Sequence, residues 1–144
     1  MTREILRAGT DQIKIMTSGG VLSANDEPGA TGFAPDEIEA IVYEAHAAGK
    51  TIMSHAEATQ GIKNAVDAGV ESIEHGIYLD DEIIASMKRR GTYLVATLVA
   101  PLWVLRRAEQ DSAGRPYPLT RFARPTRFSP RTKQASEPRP KPAC

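Results

Sequence analysis

Asp67-Ala68-Gly69-Val70-Glu71-Ser72-Ile73-Glu74-His75-Gly76 is the stretch on which the fold turns. Ala68-Gly69 has the form of a helix end, because glycine takes the left-handed backbone conformation at the position after the last helical turn without steric cost. A short run around Ile73 follows, and a histidine stands six residues after the glycine. The same grammar appears on both sides. Upstream, Ala47-Ala48-Gly49 leads into Lys50-Thr51-Ile52-Met53-Ser54 and reaches His55; downstream, Arg89-Arg90-Gly91 leads into Thr92-Tyr93-Leu94-Val95-Ala96 and reaches Thr97. Three equivalent strand ends therefore carry His55, His75 and Thr97.

Working outward, strands are expected at Gln12 to Thr17, Thr51 to His55, Glu71 to Glu74 and Thr92 to Thr97. Their density in Ile, Val, Met and Leu suits a sheet buried on both faces. Between them lie three segments with apolar residues at helical spacing. The first starts near Pro35-Asp36-Glu37, where proline fits the first turn and acidic residues favour the positive end of the helix dipole. Its stripe is Ile38, Ile41, Val42 and Ala45; the next segments carry Ile62, Ala65 and Val66, then Ile83, Ile84 and Met87. Alternating strands and helices give an α/β class with a parallel sheet. In such sheets the loops that build the site leave from the carboxyl ends of the strands, so His55 and His75 are expected to converge there.

Composition is that of a water-soluble globular protein, with 41% hydrophobic and 25% charged residues. No apolar run approaches the roughly 18 residues that span a bilayer. Met1-Thr2-Arg3-Glu4-Ile5-Leu6-Arg7 has no apolar signal segment, which makes a cytoplasmic location the expectation. The single cysteine, Cys144, excludes an intrachain disulfide. Net charge is zero, but it divides unevenly. Residues 1–111 hold 10 Lys and Arg against 17 Asp and Glu, whereas residues 112–144 hold 8 against 1, with 7 of the 10 prolines. Two regions follow: 1–111 as the folded unit and 112–144 as a Pro/Arg-rich tail expected to be disordered. The change of text after Asp111 leaves two origins open, a lost reading frame and a native tail.

Neutral imidazole offers a lone pair from either ring nitrogen, which is what a zinc-type site requires. Taken singly, each histidine reads equally as a hydrogen-bonded residue at a strand terminus; their equivalence in successive units favours a shared site. His46, inside the first helix, reads as a packing or surface residue. Ser18-Gly19-Gly20 lacks the lysine and glycine pattern of a phosphate loop and reads as a plain turn. The stretch from Gly19 to Ala34 is expected to form a site loop, with Gly29 and Gly32 allowing tight bends.

Ile13-Lys14-Ile15-Met16-Thr17-Ser18-Gly19-Gly20, the run from Glu44-Ala45-His46 to Ser54-His55-Ala56, and Ala68-Gly69-Val70-Glu71-Ser72-Ile73-Glu74-His75-Gly76 together resemble the amidohydrolase superfamily, in its imidazolonepropionase-like and Xaa-Pro dipeptidase-like branch. The resemblance covers about residues 10 to 105. It implies part of a (β/α)8 barrel, about strands 4 to 7, which at 144 residues falls short of the roughly 250 of a complete barrel. It also implies one or two divalent metal ions, usually zinc, with Lys14 carboxylated and bridging and with His55 and His75 as ligands. A carbamate turns the cationic lysine tip into an anionic oxygen donor that two cations can share. Without carboxylation, Lys14 reads as an ordinary lysine in a polar barrel mouth.

The implied activity is hydrolysis of an amide or cyclic amide bond by a metal-activated water, on a small-molecule or dipeptide-like substrate. The family's strand-1 His-x-His pair and strand-8 aspartate find no counterpart in these 144 residues. Glu57 also departs from the aromatic residue or histidine that often follows the strand-5 His-Ala, which sets the inherited substrate preference aside. Two other classes of function are open. One is a non-catalytic half-barrel that self-associates through exposed sheet edges. The other is a basic-tailed binding module; against nucleic acid as its partner stand the few interleaved aromatics, Tyr117, Phe122 and Phe128.

Overall fold

A computed structural model of the protein describes residues 1–20, 27 and 29–110. Its elements run α1 (Thr2–Arg7), β1 (Gln12–Met16), α2 (Pro35–Ala47), β2 (Thr51–Ala56), α3 (Thr59–Ala68), β3 (Ser72–His75), α4 (Asp81–Arg90), β4 (Tyr93–Val95) and α5 (Val99–Gln110). The four strands are parallel and lie in the order β1-β2-β3-β4. Sequential order without reversal is the topology of a barrel, since a doubly wound sheet reverses its strand order at a switch point. The chain thus forms consecutive βα units of a (β/α)8-type barrel.

Local chemistry sets the boundaries. Pro35 opens α2, and the Glu37 side chain returns to accept from the Ala34 backbone N–H at 2.9 Å. Asp80 caps α4 by accepting from the Ile83 N–H at 2.8 Å. Gly49, Gly69 and Gly91 take φ values of +68°, +98° and +73°, the left-handed conformation that the repeat predicts. Two elements differ from the reading of the sequence, one unforeseen and one shortened. The short α1 is joined to α2 by the Arg3 guanidinium and the Glu44 carboxylate, and β4 is shorter than its apolar text suggests.

The helices cover one face of the sheet. Ile13 and Ile15 of β1, Ile52 of β2 and Ile73 of β3 are buried against Ile38, Val42 and Ala45 of α2, Ile62, Ala65 and Val66 of α3, and Ile83 and Met87 of α4. Each fully buried isoleucine stabilises the fold by about 1.5–3 kcal/mol relative to leaving it in water. Within these four strands the helix-side face is the buried one. On the opposite face Lys14, Met16, Tyr93 and Val95 are exposed, and Leu94, in register with Ile73 on the helix side, is exposed as well. In a barrel that face is the interior, which strands lying across the barrel would cover.

At the amino ends of the strands, Glu71 holds three segments. It accepts from the Ile52 backbone N–H at 2.7 Å, and its other oxygen lies 2.8 Å from His46 Nε2 on α2. His46 is therefore a structural link, as its place in the helix suggests. No helix among the described residues is long and apolar enough to cross a membrane. The boundary after residue 111 and the tail at 112–144 lie outside the described residues.

Candidate metal centre

Alternation along a strand places His55 on the open face, beside Met16 of β1 and Glu74 of β3 in the register. His75 pairs with Ala56, so simple alternation would send it to the helix side with Ile73. Its backbone departs from the strand instead, with φ at +75°, and the imidazole meets His55 edge to face with ring centroids 4.8 Å apart. Thr97, just past β4, is the other non-glycine residue described with positive φ, at +44°. Such conformations cost a β-carbon residue about 1–2 kcal/mol each and persist only where the surroundings enforce them. They bring His75 Nδ1 to 2.6 Å from Thr97 Oγ1. The third equivalent strand end thus supplies a hydrogen bond to the second.

Close backbone packing fixes the floor of the site. A Cβ on Gly61, in the first turn of α3, would stand 2.5 Å from the Thr17 carbonyl oxygen and 3.0 Å from Ser18 Cβ. Only glycine lets α3 approach the end of β1 so closely. Thr17 and Ser54 are buried and share a hydrogen bond at 2.9 Å. Gly32 likewise passes over β1, where a Cβ would stand 2.2 Å from the Met16 carbonyl oxygen, and its N–H donates to the Thr17 carbonyl at 3.0 Å. A Cβ on Gly29 would meet nothing within 4 Å among the described residues. Of the two glycines expected to permit tight bends, Gly32 is the one held by close contact.

Glu57 is the residue whose role the spacing did not disclose. It follows β2 two residues after His55 and is 4% exposed. Its backbone N–H donates to Ser18 Oγ at 2.8 Å, and its carbonyl accepts from the Tyr78 N–H at 3.0 Å. Among the described residues its Oε2 is buried without a hydrogen-bond partner. The ligand atoms of His55, Glu57 and His75 all lie within 4.8 Å of one another. A sequence signal did exist, a carboxylate two places beyond a strand-end histidine, but nothing in the text says that this side chain is buried.

Burial dominates the electrostatics of the donors. Burial chiefly, with the neighbouring charges of His55 and Lys14, holds His75 below the ordinary histidine pKa, against a smaller opposing pull from Glu74. The ring therefore keeps a lone pair at neutral pH, and in the tautomer whose Nδ1–H donates to Thr97 that lone pair is on Nε2, free to bind. Burial pushes the Glu57 carboxyl up, as expected for a carboxylate without a counter-charge. Two imidazoles and a carboxylate whose Oε2 is buried without a hydrogen-bond partner among the described residues make a donor set that fits a divalent metal ion. Lys14 is exposed on the open face, with Met53 as its partner on β2, close enough for its charge to act on His75.

Comparison with known proteins gives this geometry a lineage. Ochratoxinase from Aspergillus niger is 40% identical over 92 residues, which are 64% of this chain and 19% of that protein. A crystal structure of a Xaa-Pro dipeptidase with methionine bound in its active site superposes with a TM-score of 0.77 at 34% identity, covering 85% of this chain and 30% of the other. An amidohydrolase crystal structure matches at 41% identity and a TM-score of 0.75, covering 85% of this chain and 29% of the other. The chain spans less than a third of each of these proteins. The sequence model of the amidohydrolase family matches residues 1–114, and the chain belongs to that family.

Proposed function

We propose that this chain carries part of the metal centre of a hydrolase that cleaves amide bonds in a small, dipeptide-like substrate. The observation behind the proposal is the convergence of His55 and His75 at adjacent strand ends, beside the Glu57 carboxylate, whose Oε2 is buried without a hydrogen-bond partner among the described residues. The relatives agree in chemistry: one is a Xaa-Pro dipeptidase and another is a prolidase bound to N-methylphosphonate-L-proline. A divalent metal ion, with zinc as the natural candidate, supplies a water of lowered pKa and polarises a carbonyl oxygen.

The residues of this chain do the positioning. His55 and His75 each offer a neutral nitrogen donor. Thr97 holds the His75 ring and fixes which nitrogen faces the ion. Lys14, when carboxylated, adds an anionic oxygen donor from the face that His55 shares. The carboxyl ends of β1 to β4, where His55 and His75 sit, form the side of the sheet from which a substrate would approach.

The test is the zinc content of purified chain prepared with zinc and bicarbonate, beside a His55→Ala/His75→Ala double variant. The expected outcome is near-stoichiometric zinc that the double variant loses. Folded protein that takes up no zinc overturns the reading.

A second reading rests on the exposed apolar residues of β4, where Tyr93 is 74% exposed and Leu94 and Val95 are 44% exposed. An edge strand of this kind invites pairing with another chain. Under this reading sedimentation shows a concentration-dependent oligomer that forms without metal; a monomer at every concentration removes it.

A further inference from the structure

We infer that Glu57 is a metal ligand, closing a three-donor His55, Glu57, His75 site that holds one divalent cation without carbon dioxide. The inference rests on the metal-centre reading above and deepens it, since that reading draws its anionic donor from a carboxylated Lys14.

The first ground is burial without a partner. Glu57 is 4% exposed, and its Oε2 has no hydrogen-bond partner among the described residues. Buried polar atoms in folded proteins are nearly always satisfied, and an isolated buried carboxylate is among the most costly exceptions. A cation between Glu57 and the two imidazoles removes that cost at once.

The second ground is placement. The backbone of Glu57 is tied on both sides, by its N–H to Ser18 Oγ and by its carbonyl to the Tyr78 N–H. The loop after β1 and the loop after β3 thus clamp the residue whose side chain needs to be fixed. Immediately behind it, Ala58 caps α3, whose Gly61 packs on Thr17 and Ser18. A ligand built on this support is held in advance of metal arrival, as tight sites require.

The third ground is the donor set itself. Two neutral imidazoles and one carboxylate bring a single negative charge to a divalent ion and leave a fourth position open, the composition found in catalytic zinc centres. Lys14 in its ordinary cationic form has no lone pair to offer and would repel the ion; the carboxylate of Glu57 offsets it. With Glu57 as donor, the first metal position needs no lysine modification.

The full chain, stripped with a chelator, is titrated with zinc chloride in competition with a chromophoric chelator, in buffer freed of carbon dioxide and again with bicarbonate. Wild type, Glu57→Gln, Glu57→Asp and the double histidine variant are compared, with folding followed by far-ultraviolet circular dichroism. Cobalt(II) replaces zinc in a parallel series, and its visible absorption reports the ligand set. The expected result is one zinc bound equally with and without bicarbonate. Glu57→Gln is expected to weaken binding by at least about 10–100-fold, the loss that removal of a ligand's supporting partner alone produces. Glu57→Asp keeps the charge, falls between the two and shifts the cobalt spectrum.

Three results overturn the inference. If wild type binds zinc and folded Glu57→Gln binds it equally, Glu57 is not a ligand and the histidine centre survives. If wild type binds only with bicarbonate, the anionic donor is the carbamate. If wild type binds no zinc under either condition, both readings fall together.

Discussion

The two faces of the sheet obey different rules. On the covered face, Ile13, Ile15, Ile52 and Ile73 are buried beneath three helices and the strand text is almost uniform. On the open face, Lys14, Met16, Met53, His55, Glu74 and Val95 share no common chemistry, and several are exposed. The covered face commits the chain to its fold by the non-directional burial of apolar area. The open face is free of that demand, so it accommodates titratable groups and tolerates backbone strain at His75 and Thr97. Stability and chemistry are separated by a single strand thickness.

The largest expected effect tests that separation directly. Ile73→Ala removes a side chain with no solvent exposure and should cost about 2–5 kcal/mol in chemical denaturation. Val95→Ala, one strand over on the open face, should cost under about 1 kcal/mol. Equal losses would break the comparison and mean that the open face is a second core.

A smaller effect sharpens it. Thr97→Val leaves shape nearly unchanged but removes the oxygen 2.6 Å from His75 Nδ1. Zinc affinity should fall by about 10–100-fold, and Thr97→Ser should restore it, because the hydroxyl and not the methyl group orients the ring. A valine variant that binds zinc normally would make the strained turn at Thr97 a matter of chain path alone.

The smallest effect is electrostatic. In metal-free protein His75 has a folded pKa below the ordinary value of about 6.5. As pH falls, the unfolded chain takes the proton first, so this stabilisation is complete above the ordinary value and is lost as pH falls through it. Glu57 acts in the opposite sense. Its folded pKa is raised, so the folded chain takes the proton first and gains stability as pH falls. The difference between wild type and His75→Gln, measured by urea unfolding from pH 7.5 to pH 5, isolates the histidine. The gap should move in favour of the variant as pH drops, and a constant gap would show that His75 ionises equally in both states.

The covered face was legible in the sequence because burial leaves a periodic record. Ile38, Val42 and Ala45, then Ile62, Ala65 and Val66, mark helix faces, and Gly49, Gly69 and Gly91 mark helix ends at which glycine is free of the usual steric penalty. That punctuation aligned His55, His75 and Thr97 as equivalent strand ends. Their equivalence is incomplete in space, because His75 and Thr97 leave the strand conformation and His55 does not. Local sequence cannot announce such a turn when the residues making it are not glycine. Glu57 stayed hidden for a related reason: its backbone is tied to Ser18 and Tyr78, residues brought to it only by the tertiary fold. Met16, Met53 and Val95 on the open face signal burial without saying which layer provides it, and in a barrel that layer is the set of strands lying across from them.

Strand order has a temporal side as well. Each strand pairs with the one before it, and the registers join Ser54 to Ile73 and Ile73 to Leu94, residues about twenty positions apart. Contacts this local close small loops, which lowers the entropic barrier to forming them. A chain emerging from the ribosome could therefore dock each of these βα units on its predecessor as it appears, with none of the pairings among the four strands waiting for a distant mate. The histidine pair would be assembled as soon as the third strand arrived, before the remainder of the polypeptide had been made.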